Sequence, residues 1–357
     1  MSNLNTYLKE RGNFVFDDPH PFNELDALVL ARISYLPFDK IKLKRKETVS
    51  SVCEKFQTLE TKEFRWPDDQ ILVENLENSA RFSKMKITNY LKNNSKTAER
   101  QFSAVTIHLG FSKMYLSFFG TDDSVVGWKE DFNLAILDTI PAQDEGRKYL
   151  KRLHRRYPWK KLYLGGHSKG GNVAMFAALT APDRFQKKML GIYNFDGPGL
   201  RKGTLALDKG SEKVLDKIES FIPQDSIIGR LFEHNEKFTV VKSDSISFYQ
   251  HDIYSWEVSG TKFVKSKSSK TSDFTDRMIT NWLESATVSE KKIFIDGMFN
   301  IFDEANVKGP MDLKARWMKY APILAKSFIS TPKAERKVII EVWKKLGQSF
   351  LKARKNG

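Results

Sequence analysis

Apolar residues at Leu25, Leu28, Val29, Ile33 and Leu36 fall on one face of a 3.6-residue period, which predicts a helix over 22–39 ending near Pro37. A lysine-rich stretch and another helical pattern run to about residue 58, and 77–93 (ENSARFSKMKITNYLKN) also reads as a helix. The period then shortens. Residues 102–110 and 113–121 are rich in β-branched and aromatic residues with a short turn between them, which predicts two strands. Residues 127–141 read as a loop leading into a short helix or extended piece, and 145–158 as a helix with Pro158 just past its end. A strand at 161–166, a helix at 171–181 stopped by Pro182, and a strand at 189–199 running into a glycine-rich turn come next. Further strands are expected at 217–225 and 236–244. Strand, helix and strand in this order argue for an α/β fold with a mostly parallel central sheet.

Beyond residue 265 the helical period returns, over 272–286, 289–305 and 331–355. In the last of these Thr331 is placed to cap and Pro332 to occupy the first helical position, and Ile339, Val342, Trp343, Leu346 and Phe350 form one apolar stripe. The polar segment 262–273 is the best boundary, giving an α/β domain over 1–265 and a helical extension over 266–357 packed on the same domain. No uncharged apolar run of about 18 residues appears, so no membrane-spanning helix is expected.

Charge sharpens this picture at one end. The chain has 357 residues, 59 Lys and Arg, 44 Asp and Glu, and a formal net charge of +15. Residues 308–357 hold 13 Lys or Arg against 3 Asp or Glu, so this stretch supplies +10 of the total. A basic amphipathic helix can lie on an anionic membrane, so peripheral contact through 331–357 is one expectation, and packing of its apolar stripe on the α/β domain is the other. No zinc-finger spacing or RNA-recognition signature accompanies the charge, and nucleic acid is not the expected partner. The single cysteine, Cys53, excludes an internal disulfide; with no apolar leader in the first twenty residues, a cytoplasmic location is expected.

The chemistry concentrates in 162–179, LYLGGHSKGGNVAMFAAL. Gly166, His167, Ser168, Lys169 and Gly170 match G-x-S-x-G, the turn that carries a serine nucleophile from a strand into a helix. The glycines remove bulk that would collide across so sharp a turn, and the helix start aims amide dipoles at a developing oxyanion. A nucleophilic serine needs a base, and the base an orienting acid, in the chain order Ser, acid, His. Two histidines lie downstream, His234 and His251, and His251 is preferred because it follows the strand at 236–244. Asp196 and Asp225 both end strands and either can supply the carboxylate. No clustered Cys and His set or H-E-x-x-H is present, so neither a metal nor another cofactor is expected.

The segments FNELDALVLARISYL, YLSFFGTDDSVVGWKEDFN, LYLGGHSKGGNVA, YNFDGPG, PQDSIIGRLFEH and QHDIYSW span about 22–258 in order. On these the chain resembles the bacterial Mbeg1-like proteins (DUF2974), an α/β-hydrolase family related to class 3 lipases. The resemblance implies an oxyanion hole from Thr121, after Gly120, and the backbone N–H of Lys169, and it favours Asp225, in DSIIGRL, as the acid. It implies a serine hydrolase acting on a carboxylic ester, either a lipid or an acylated small molecule. Lys169 stands where the lipases carry an apolar residue, and Asp122 and Asp123 follow Thr121, so a cation beside the site and a substrate other than neutral triglyceride are expected. The alternative is a non-catalytic protein of the same fold that binds an anionic membrane or a protein partner.

Overall fold

The computed structural model describes residues 2–122, 124–201 and 212–355. The helices α1 (Leu4–Arg11) and α2 (Glu24–Ile33) come first, then the short strand β1 (Glu47–Thr48) and the helices α3 (Val49–Gln57) and α4 (Asp68–Glu77). Strands β2 (Lys86–Ser95), β3 (Arg100–Leu109) and β4 (Lys113–Phe118) form an antiparallel meander. Helices α5 (Val125–Asn133) and α6 (Pro141–Arg156) lead to β5 (Lys161–His167), α7 (Lys169–Leu179), α8 (Asp183–Gln186) and β6 (Met189–Phe195). After α9 (Glu212–Leu215) come β7 (Ile218–Pro223), β8 (Phe238–Val241) and a hairpin of β9 (Val258–Ser259) and β10 (Lys262–Phe263). The chain ends in helices α10 (Lys270–Ser285), α11 (Val288–Glu304), α12 (Pro310–Ala315), α13 (Trp317–Ser330) and α14 (Lys333–Lys355).

Strands β1 to β8 lie in chain order in one mixed sheet. Pairing is antiparallel from β1 to β4 and parallel from β4 to β8. Side chains alternate between two cores, as a two-residue period requires. From β4, Met114, Leu116 and Phe118 pack with Leu150 of α6 and Ala174 of α7, while Tyr115 packs on the opposite face with Leu28 of α2. The parallel registers pair Phe118 with Gly166, His167 with Phe195, Phe195 with Phe221, and Pro223 with Val241. Residues 120, 168, 196 and 225 thus emerge from neighbouring strands at one edge, the carboxyl ends, where open α/β sheets place their sites.

Two local readings are corrected. Residues 77–93 are not a helix: α4 stops at Glu77 and β2 begins at Lys86, pairing Ile87 with Ile107 and Thr88 with Thr106. A bulge between Thr88 and Leu91, with Asn89 at φ +55°, breaks the two-residue alternation and so hides the strand. The stretch after residue 124 opens as the helix α5, because Trp128 and Phe132 have a partner far along the chain. Trp128 stacks on Phe302 of α11 at 5.3 Å, and both rings meet Phe299 edge-on. Helix α11 in turn shares Phe294, Ile295 and Phe299 with Ile339 and Val342 of α14. These two residues of the predicted stripe are buried, whereas Trp343 and Phe350 are exposed. Among the described residues, no helix is long and apolar enough to cross a membrane.

A buried ion pair fixes α2 beneath the site. Arg32 Nε and Nη2 donate to the two oxygens of Asp69, each at 2.6 Å, and the Tyr254 hydroxyl donates to Asp69 Oδ1 at 2.8 Å. Removing the carboxylate strands a guanidinium with almost no access to water. Asp69→Ala should lower the unfolding free energy by about 3–5 kcal/mol in urea titrations, and a loss under about 1 kcal/mol would contradict this reading.

Candidate active site

Ser168 sits between β5 and α7 with φ +59° and ψ −136°, a region that costs a residue with a side chain about 1–3 kcal/mol. The sheet holds it there: Ser168 N donates to the Phe195 carbonyl at 2.9 Å and Gly171 N donates to the Ser168 carbonyl at 2.9 Å. Gly166 and Gly170 face each other across the turn, and a Cβ on Gly166 would lie 2.5 Å from the Gly170 carbonyl carbon. Gly120 lies against the serine, where an added Cβ would come within 3.1 Å of Ser168 Cβ.

His251 meets Asp196, not Asp225. Its Nδ1 lies 2.6 Å from Asp196 Oδ2, and Asp196 is buried at the end of β6 with φ +49°. Asp196 Oδ1 accepts from the Ser226 hydroxyl, which occupies the other side of the carboxylate. Asp225 is turned to the neighbouring residue of the histidine loop: its N–H donates to Gln250 Oε1, and Gln250 Nε2 donates to Asp225 Oδ2, both at 2.8 Å. It thus anchors the turn that carries His251 without touching the ring. His234 is engaged elsewhere, with Nδ1 2.7 Å from Glu236 Oε1.

His167, inside the glycine motif, joins the serine turn to the histidine loop. Burial, and then the proximity of His251, holds its pKa well below the usual histidine range, so the ring is neutral. Its Nε2–H donates to the His251 carbonyl at 2.8 Å, and the two imidazoles pack with centroids 4.4 Å apart. The Tyr35 hydroxyl donates to the His167 carbonyl at 3.1 Å. Tyr35, Ser226 and Gln250 were not legible as site residues. Ser226 and Gln250 adjoin an expected aspartate and histidine in sequence, but Tyr35 carries no local signal.

The Lys169 cation lies beside the serine turn but is closed off from water. The residue opens α7, yet its side chain is only 1% exposed, and Nζ donates to Glu130 Oε2 at 2.7 Å and Gln101 Oε1 at 2.8 Å. Glu130 is itself buried and accepts from the backbone N–H groups of Gln101 and Ala142. Thr121 donates its hydroxyl to Asp131 Oδ1 at 2.7 Å and accepts at its carbonyl from Arg65 Nη1 at 2.7 Å. Asp122 caps the following turn through the Ser124 N–H, and Asp123 lies outside the described residues. Among the described residues, no group of three or more His, Cys, Asp or Glu is arranged to hold a metal ion.

A family model described as Mbeg1-like matches residues 76–300, more than half of the chain. No curated protein matches the chain. Similar solved structures include the native Rhizomucor miehei lipase propeptide complex, at 15% identity and TM-score 0.35 over 44% of this chain and 57% of that one. Another is an M37 lipase, at 15% identity and TM-score 0.39 over 58% of this chain and 70% of that one. A third is a lipase from Rhizopus microsporus var. chinensis, at 13% identity and TM-score 0.35 over 70% of this chain and 81% of that one. The chain thus spans little more than half the length of the first of these.

Asp131 yields a pH prediction. Partial desolvation, with 34% of the side chain still exposed, pushes its carboxyl up to about 6, against the opposing pull of Lys169, whose Nζ is 3.7 Å away, and of the Thr121 hydroxyl. Between about pH 4 and 6 the folded chain therefore holds a proton that the unfolded chain releases, and this group subtracts from stability as pH rises through that window. Asp131→Asn should gain stability relative to wild type on going from pH 4 to pH 6.5 in urea unfolding. A difference that stays flat or moves the other way would contradict the raised value.

Proposed function

This chain belongs to the Mbeg1-like family, and from that premise we propose that it is a serine hydrolase cleaving carboxylic esters through Ser168, His251 and Asp196. The observation that carries the proposal is the 2.6 Å contact between His251 Nδ1 and Asp196 Oδ2. With Nδ1–H donated to a buried carboxylate, the imidazole is held as the tautomer whose Nε2 is free to take a proton. In the reaction, the Ser168 hydroxyl oxygen attacks the ester carbonyl and its proton passes to His251 Nε2. Asp196 stabilises the imidazolium that forms. The tetrahedral oxyanion is held by the backbone N–H of Lys169, which as the first residue of α7 has no carbonyl partner one turn back, and by Thr121. His251 returns the proton to the leaving alcohol, and water then releases the acyl group by the same steps in reverse.

The assignment of Asp196 rather than Asp225 is supported by what each touches. Asp196 bonds the ring, whereas Asp225 bonds Gln250. The buried Lys169 and Glu130 pair neutralises charge beneath the serine turn, so nothing in this arrangement offers an exposed ammonium for recognising an anionic substrate.

Turnover of short p-nitrophenyl esters tests the reading. Ser168→Ala should abolish it. Asp196→Asn should lower kcat by about 10³–10⁴-fold, because the imidazole loses its fixed tautomer. Asp225→Asn should lose far less. Equal or greater loss in Asp225→Asn would overturn the choice of acid, and undiminished turnover in Ser168→Ala would overturn the activity.

A further inference from the structure

Helix α13 is packed on one side only. Tyr320 and Ser327 are buried, and Leu324 and Phe328 are half-buried against neighbouring helices. On the other side Met318, Pro322, Ala325 and Ile329 recur at intervals of four, three and four, all exposed, with Ile323 beside them. Met318 is 89% exposed, Ile329 69% and Trp317 56%. An uncharged apolar stripe with Met318 and Ile329 held in water at its two ends is the kind of surface that docks on a partner.

The segment just before α13 touches the histidine loop. Lys314, three residues before Trp317, donates from Nζ to the Tyr249 hydroxyl at 2.8 Å and lies over that ring. Tyr249 belongs to the loop that delivers His251, and its neighbours Ile246 and Phe248 are also exposed, at 72% and 58%. The ring of Phe248 lies 6.1 Å from that of His251. The Lys314 contact thus ties the histidine loop, with its own exposed apolar side chains, to the segment that leads into α13.

Charge selects the occupant. Between Trp317 and Ser330 the chain carries Lys319 and Lys326, both exposed, and no acidic residue. A second copy would set like charges against each other across this face. An anionic bilayer matches it, with the two lysines, seven residues apart on one flank of the stripe, at the headgroups and the stripe turned toward the acyl chains. We propose that α13 and the 246–249 loop form the face by which this protein docks on anionic phospholipid membranes, with the Ser168 site at its margin. As a statement of substrate class, a membrane-resident lipid ester, this rests on the hydrolase reading; docking itself does not.

Sedimentation with phosphatidylglycerol and phosphatidylcholine vesicles tests it. The full chain should pellet with mixed vesicles and not with phosphatidylcholine alone. The double variant Met318→Glu, Ile329→Glu, whose side chains are exposed on α13, should bind at least about tenfold more weakly. The double variant Lys319→Glu, Lys326→Glu should do the same, and both should keep wild-type turnover of a soluble p-nitrophenyl ester wherever the wild type has any. Ser168→Ala should still bind, so inactivity and failure to dock are read separately. Unchanged binding in both double variants, or no binding by the wild type, would overturn the proposal. So would a wild-type dimer that Met318→Glu, Ile329→Glu dissolves without any vesicle binding by the wild type.

Discussion

The hydrogen bond between His251 and Asp196 joins residues 55 positions apart, and the rest of the site is arranged around it. It exists because β6 and β8 end at the same edge of the sheet as β5, so a carboxylate leaving one and a loop leaving another converge beside the serine turn. Each partner is then fixed from behind. Ser226 holds the far oxygen of Asp196, Gln250 and Asp225 hold the turn before His251, and His167 holds the His251 carbonyl. The histidine is restrained through its ring and its backbone, as its proposed role as base would require.

The helical C-terminal region is part of this arrangement. Lys129 of α5 bridges Glu99 and Asp296, and Val125 N donates to the Lys308 carbonyl, so α5 is tied to α11 and to the segment beyond it. Helix α5 carries Glu130, which meets Lys169 at the start of α7, and it is followed within the same turn by Asp131, which meets Thr121. Packing far from Ser168 therefore reaches the two residues proposed to hold the oxyanion. An apolar residue at 169 would need no such partner; a lysine there requires Glu130, because an unpaired buried ammonium would cost several kcal/mol, on the order of the whole stability margin.

What was legible in the sequence follows the range of the forces involved. The serine turn was legible because its requirements are local: an apolar strand, small residues on both sides, and an alanine-rich helix within eighteen positions. The order of strands and helices was legible from periodicity, except where the bulge at Asn89 disguised β2 and where the partner of Trp128 and Phe132 lay some 170 residues away. The choice between Asp196 and Asp225 was not legible. Both end strands, and which one reaches His251 depends on the left-handed backbone at Asp196, which the following Gly-Pro-Gly disguised as an ordinary turn. The fate of Lys169 was equally hidden, since Glu130 and Gln101 come to it from 39 and 68 residues away.

Whether Ser168 is activated, as proposed, can be measured without knowing the substrate. Reaction of the native protein with a fluorophosphonate, followed by peptide mass mapping, measures it directly. A single adduct is expected on the peptide containing Ser168, lost on prior unfolding. No adduct, or one on another serine with Ser168 unmodified, would contradict it.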